Sequence, residues 1–169
     1  MSWTLRRAAA DDIDRLAVVG AATFLDAFAG VIDGDAVVAH CLGQHDAATY
    51  RALLAKRDAA AWLAEIGGAP VGYSLLCPPD LPGAQAGDIE LKRIYALSRF
   101  QGSGIGAALL APAAAHARNG SAARLLLGVY QGNARAIAFY RREGFAVIGT
   151  RSFAVGSATY QDWVMALPL

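Results

Sequence analysis

Five consecutive residues, Leu125-Leu126-Leu127-Gly128-Val129, carry no polar side chain. A strand of this kind is buried on both faces, which places it in the centre of a sheet. The segment before it supplies a helix. Ile89 to Leu97 reads as a strand, Gln101 to Gly106 as a glycine-rich turn, and the following residues to about Arg118 as an apolar helix stopped by Asn119-Gly120. Strand, helix and buried strand make a βαβ unit, so two strands in the middle of this chain run parallel.

The flanking segments extend that unit. Trp3 to Arg7 alternates weakly and reads as a first strand. Asp11 and Asp12 cap a helix in which Ile13, Leu16, Ala17, Gly20, Phe24 and Phe28 recur at helical spacing, ending at Gly30. Two shorter helices are expected around Asp35 to Cys41 and Asp46 to Lys56. Ala60 to Ile66 and Val71 to Cys77 flank Gly67-Gly68 and form an antiparallel hairpin. After the buried strand, Asn133 caps a helix closed by Gly144, and strands follow over Phe145 to Thr150 and Thr159 to Leu167. The fold class is therefore α/β: a mixed sheet of about seven strands, a central parallel βαβ unit, and helices on both faces. No repeat or polar linker divides residues 1–169, so one domain is expected.

Composition removes several functions. A net charge of +1 without a Lys/Arg cluster gives no basic surface for nucleic acid. The longest apolar run, Ala107 to Ala115, is far shorter than the ~20 residues that span a bilayer. Met1 to Asp14 carries acids where an export signal is apolar, and Cys41 and Cys77 form no C-x-x-C pair, so a cytoplasmic protein is expected. His40, Cys41 and His45 lack a fourth donor at sensible spacing, so no metal is expected. Cys77 has no activating histidine motif. Pro112 inside the expected helix removes one hydrogen bond.

The glycine-rich turn carries the chemistry. Gln101-Gly102-Ser103-Gly104-Ile105-Gly106-Ala107 lets the backbone approach an anion, with amides and the positive dipole end of a helix behind it. A tight connection would use the same glycines. A P-loop, G-x-x-x-x-G-K-S/T, is absent because no lysine follows. A Rossmann turn is matched formally by Gly102, Gly104 and Ala107, but the next strand has no acid to hold a ribose.

Two runs taken together narrow the choice. The first is Glu90-Leu91-Lys92-Arg93-Ile94-Tyr95-Ala96-Leu97, followed by Q-x-x-G-x-G and an apolar helix. It resembles motif A of the GNAT (GCN5-related N-acetyltransferase) superfamily. The second, Asn133 to Phe145, resembles that family's N-x-x-A-x-x-F-Y-x-x-x-G-F signature. The resemblance is strong from Asp88 to Leu167 and loose before it. It implies a splayed sheet with acetyl-CoA between the two parallel strands. Pantetheine would meet the backbone of Ile94, Tyr95 and Ala96, and the pyrophosphate the loop Gln101, Gly102, Ser103, Gly104, Ile105, Gly106 and Ala107. Asn133 would bond the pantetheine arm while also capping its helix.

The same resemblance puts Tyr140 where the family commonly keeps a general acid for the departing thiolate; a core aromatic beside Phe139 is the plainer alternative. Glu90 matches the position of a base acting directly or through water, or else a strand-end carboxylate paired with Lys92 or Arg124. A main-chain N–H near Ile94 to Ala96 would meet the oxyanion. The function implied is transfer of an acetyl group to a primary amine of a small molecule by direct attack. Thr23 to Gly30, with Glu90 to Tyr95, is similar to bacterial polyamine acetyltransferases. That likeness suggests Phe24, Phe28 and Glu90 as substrate contacts, with Asp26 and Asp33 attracting a cationic acceptor. A peptide N-terminus, an amino acid or an aminoglycoside remain alternatives, as does a non-catalytic acyl-CoA-binding module. A homodimer through the strands from Phe145 to Leu167 is a further expectation.

Overall fold

The computed structural model describes residues 2–169. Seven strands form one sheet in the order β1-β2-β3-β4-β5-β7-β6. They are β1 (Thr4–Arg7), β2 (Ala60–Ile66), β3 (Ala69–Cys77), β4 (Asp88–Ala96), β5 (Arg124–Tyr130), β6 (Ala146–Val155) and β7 (Ala158–Pro168). Five helices accompany them: α1 (Ile13–Phe28), α2 (Gly34–Gln44), α3 (Ala47–Leu54), α4 (Ile105–Asn119) and α5 (Ala134–Arg142). Every expected element is present. The largest boundary difference is β6, which continues five residues beyond Thr150 as the arm of a long hairpin with β7. Because β7 inserts between β5 and β6, only β6 is a free edge at that end.

The two faces are covered by different helices. On one side α4 packs over β2 to β5, burying Leu109, Ala113 and Leu125 completely. On the other, Leu16 of α1 and Tyr50 of α3 meet Leu63, Tyr73 and Leu75. Ser74 ties β3 to α4, its hydroxyl donating to the Leu109 carbonyl at 3.0 Å. Pro112 sits within α4, which runs through it without interruption.

The first strand is latched by charge. The Arg6 guanidinium donates to Asp12 at 2.7 Å and to Glu65 at 2.9 Å. The Asp12 carboxylate also accepts the Ala9 N–H, so it closes the turn before α1 rather than capping that helix with its side chain.

All strand pairs are antiparallel except β4 with β5. That parallel ladder has only three rungs, Asp88–Arg124, Ile89–Leu125 and Glu90–Leu126. Beyond them β4 stays with β3 as far as Ala96, while β5 stays with β7 as far as Tyr130. The sheet therefore parts between two strands that remain fully paired on their outer sides. This is the splay expected from the sequence.

Candidate active site

The parting of β4 from β5 leaves backbone groups free, and the register says which ones. Leu97 N–H donates to Val71 at 3.0 Å. In an antiparallel ladder the bonded and non-bonded pairs alternate. Tyr95 and Arg93 therefore direct their backbone groups to β3, whereas Ile94 and Ala96 turn theirs toward the gap. The Ala96 carbonyl accepts one bond there, from Gln101 Nε2 at 3.2 Å.

A cavity of about 810 Å³ occupies the splay. At its mouth the turn into α4 places Gly102 and Gly104 at φ +85°, a backbone that side chains adopt rarely. This turn aims the unbonded amides of Ile105, Gly106 and Ala107 outward from the first turn of a 15-residue helix. Added Cβ atoms define the surroundings: at Gly104 it meets nothing within 4 Å, and at Gly102 only an Arg135 nitrogen at 3.8 Å. Such an open, amide-lined cradle beside a guanidinium suits a phosphate. Ile94, Tyr95, Ala96, Gln101, Gly102, Gly104, Ile105, Gly106, Ala107, Asn133 and Tyr140 all line the cavity. Ser103 does not: its hydroxyl is turned back to the Phe100 carbonyl at 2.6 Å.

Tyr140 is set by the way α5 ends. Asn133 starts the helix, its side chain accepting the Ala136 N–H at 3.1 Å. At the other end Gly144 takes φ +97°, Phe145 N–H donates to the Tyr140 carbonyl at 3.0 Å, and Gly144 N–H donates to Arg141 at 3.1 Å. These are the two bonds of a Schellman stop, with its hydrophobic contact supplied by the Phe145 ring 5.7 Å from that of Tyr140. The motif thus fixes the tyrosine from both backbone and ring. Its hydroxyl has no hydrogen-bond partner among the described residues, although the residue is only 8% exposed and faces the cavity. Burial, with a smaller contribution from Tyr95, pushes this phenol well above its ordinary value, so it holds its proton at neutral pH.

Glu90 stands elsewhere. Its carboxylate accepts the Asp80 N–H at 3.0 Å and lies 3.6 Å from Lys92 Nζ. The residue is 2% exposed and is not part of the cavity wall. Of the alternatives left open by the sequence, the ion pair with Lys92 is the one present. Arg124 pairs instead with Asp88 at 2.6 Å. Glu90 holds the Pro78–Pro82 loop to the sheet through the Asp80 N–H.

The far end of the cavity is built from scattered side chains. Phe24 and Phe28 of α1 reach it together, their rings 4.6 Å apart. Asp26 and Asp33 do not reach it. Asp26 accepts Ser98 N–H and hydroxyl at 2.6 and 3.0 Å, and Asp33 caps α2 through Ala36 N–H at 3.1 Å. Groups that the sequence did not assign to an acceptor site line this wall: His40, Gln44, His45, Arg93, Arg151 and Asp162. His45 Nδ1 lies 2.9 Å from Tyr50 Oη, which donates to Tyr73 Oη at 2.9 Å. Burial first, then the Arg93 charge, holds His45 down to about 3 and lowers His40, so both imidazoles are neutral. Held this low, His45 is a poor base for an ammonium near pKa ~10. Asp162 is raised by burial, against which its 3.0 Å ion pair with Arg151 acts.

A bulge in β4 makes this wall possible. Leu75 faces Arg93 and Leu76 faces Leu91, so Lys92 is an extra residue. Leu91 and Ile94 both pack on the α4 side, and Lys92 and Arg93 consecutively serve the opposite side. Without the bulge, Arg93 would point into the α4 core.

Among the described residues, no group of three His, Cys, Asp or Glu side chains is placed to hold a metal ion. No helix there is long and apolar enough to cross a membrane. The Cys77 thiol is pushed up to about 11 by burial and by Glu90.

A sheet that opens between two parallel strands, with an amide cradle at its mouth, defines an acetyltransferase architecture. Residues 27–145 match the acetyltransferase (GNAT) family. An uncharacterised N-acetyltransferase of Mycobacterium tuberculosis is 34% identical over 158 residues, 94% of this chain and 98% of that one. The PaiA N-acetyltransferase of Thermoplasma acidophilum, solved in complex with coenzyme A, superposes with a TM-score of 0.79 at 20% identity over all of both chains. A ribosomal-protein-alanine N-acetyltransferase of Brucella melitensis does so with a TM-score of 0.73 at 23% identity, over 98% of this chain and 99% of that one. The chain belongs to the GNAT family and is an N-acetyltransferase.

Proposed function

We propose that the chain transfers the acetyl group of acetyl-CoA to a primary amine of a small molecule, with both substrates bound at once. The observation that carries this is the unpartnered Tyr140 hydroxyl inside the same cavity as the free backbone groups of Ile94 and Ala96. The donor set fits acyl-CoA. Backbone N–H and C=O at the gap suit the pantetheine amides, Asn133 has a side-chain N–H₂ left to donate, and the amides of Ile105, Gly106 and Ala107 suit pyrophosphate.

The thioester supplies an activated acyl carbon: the amine nitrogen forms the new C–N bond, the C–S bond breaks, and the sulfur leaves as a thiol. Tyr140 gives the sulfur its proton, and the proton lost by the attacking nitrogen restores the phenol through solvent. A main-chain N–H at Ile94 or Ala96 lies on the gap side, where an oxyanion donor is required. With His40 and His45 neutral and Glu90 outside the cavity, the amine attacks as the fraction already neutral in solution, its ammonium proton having gone to bulk buffer.

Because Asp26 and Asp33 are occupied in capping, they give a polyamine acceptor no support. Thiol release from acetyl-CoA, measured with amino acids, polyamines, aminoglycosides and a peptide with a free N-terminus, tests the reading. Acceptor-dependent release supports it. Tight CoA binding without release on any amine would instead make the chain an acyl-CoA-binding module. Pairing of two β6 edges through exposed Val147 and Ile148 is the dimer this sheet offers, and light scattering that finds only monomer at micromolar concentration removes it.

A further inference from the structure

We infer that the acceptor carries a carboxylate as well as its amine, and that the Arg93 guanidinium receives that carboxylate. This rests on the acetyl-CoA-dependent reading above.

Three basic side chains line the acceptor wall, and two have counter-charges. Lys92 Nζ lies 2.7 Å from Asp80 and 3.6 Å from Glu90. Arg151 Nε lies 3.0 Å from Asp162. Among the described residues, no carboxylate comes within the 4.0 Å of an ion pair with Arg93. Its contacts are all with neutral groups. Nη2 donates to the Gln44 carbonyl at 2.7 Å, Nη1 lies 3.5 Å from His45 Nδ1, and the group sits 4.8 Å over the Tyr50 ring. A guanidinium has five N–H donors, so most remain available.

A cap for the end of α2 explains one of those bonds, but an uncharged amide would serve there equally well. A half-buried charge without a counter-ion is costly, and the bulge at Lys92 is what turns it into the cavity. Asp26 and Asp33 bond Ser98 and Ala36 and do not line the cavity. His40 and His45 are lowered by burial first and by the Arg93 charge second, which places that charge close to both rings. Such a pocket repels a polycation and favours an anion, and the planar fork matches a carboxylate. Phe28, Tyr95 and Phe153 beside it offer apolar surface. The chemistry described is that of an amino acid with an apolar body.

Matched acceptors isolate the carboxylate: L-phenylalanine against phenethylamine, L-leucine against isoamylamine, with spermidine as the polycation. The readout is the ratio of kcat/KM within each pair, with CoA affinity measured separately by calorimetry. The parent is expected to favour each amino acid by at least about tenfold, the scale of a charge-assisted hydrogen bond. Arg93→Gln is expected to bring both ratios close to one, and Arg93→Lys, which keeps the charge but not the fork, to give an intermediate ratio. A purely structural arginine would lower stability and leave the ratios unchanged. If CoA binds but spermidine or the simple amines are preferred, or no amino acid is acetylated, the inference is overturned and the CoA site stands. If CoA does not bind, the reading beneath it fails instead.

Discussion

One cavity has two walls made in different ways. The wall at β4, α4 and α5 presents backbone: the gap-facing groups of Ile94 and Ala96, then the amides at the start of α4, from a run barely fifteen residues long. The opposite wall presents side chains brought from α1, α2, β4, β6 and β7, including Phe28, His40, Arg93, Phe153 and Asp162. Backbone recognition constrains φ and hydrogen bonding, so it requires glycines and caps at fixed spacing. Side-chain recognition constrains only where atoms end up, so neighbouring sequences can change without disturbing the fold. On the function proposed, the difference lets a co-substrate site fixed by backbone sit beside an acceptor site whose side chains are free to vary.

The largest effect is expected between the two walls. Tyr140→Phe should lower kcat by roughly 10²–10⁴-fold, the range of general acid catalysis, while KM for acetyl-CoA and for the amine barely moves. The ring and the Schellman stop remain, so the melting temperature should change little. Near-normal kcat on a good acceptor would assign Tyr140 to packing alone.

Gly104→Val tests the backbone wall. The sequence suggests a loss of acetyl-CoA affinity with little effect on folding, but φ +85° adds a cost of about 1–3 kcal/mol to any β-branched residue there. Both the binding constant and the urea midpoint should therefore fall. Gly106→Ala is the milder companion, since its Cβ would meet the Phe139 ring at an ordinary 3.5 Å. A folded Gly104→Val with parental CoA affinity would displace the cradle from this turn.

Gly20→Ala tests the side-chain wall. An added Cβ would lie 1.9 Å from Tyr50 Oη and 2.6 Å from His45 Nδ1, so the pair supporting Arg93 must shift. Overpacking of this kind costs about 1–3 kcal/mol. KM for the acceptor should rise while CoA affinity is retained, and equal loss of both would argue that the walls are not separable.

The smallest effect lies outside both. Arg6 holds the Asp12 carboxyl down to about 2 from an ordinary 3.8. A depressed acid stabilises the fold above its unfolded value and loses that contribution as pH falls through the folded one. The stability difference between the parent and Asp12→Asn should thus be full above pH ~4 and vanish toward pH ~2. A pH-independent difference would mean that charge does not latch β1.

How much was legible follows the same division. The Leu125–Val129 run, the two glycines at φ +85° and the Asn133 to Phe145 motif each state a backbone requirement, and each was read with its element. The bulge also left a trace, since apolar positions 89, 91 and 94 break the twofold alternation, but one extra residue between charged neighbours does not declare itself. Glu90 was undecidable because its partner is the Asp80 N–H in an aperiodic loop. Asp26 looked available for the same reason, since its partner Ser98 is 72 residues away in sequence, whereas Asp33 is a local cap three residues before Ala36. The Arg151–Asp162 pair depends on the β6–β7 register, which a long hairpin fixes only in three dimensions.

The most direct test of the splay as the acetyl-CoA site is residue-resolved amide exchange with and without CoA. Ile94 and Ala96 should exchange readily in the free protein and slow on binding, while Arg93 and Tyr95, already bonded to β3, should be unaffected. Saturating CoA binding that left the Ile94 and Ala96 amides unchanged would contradict the account.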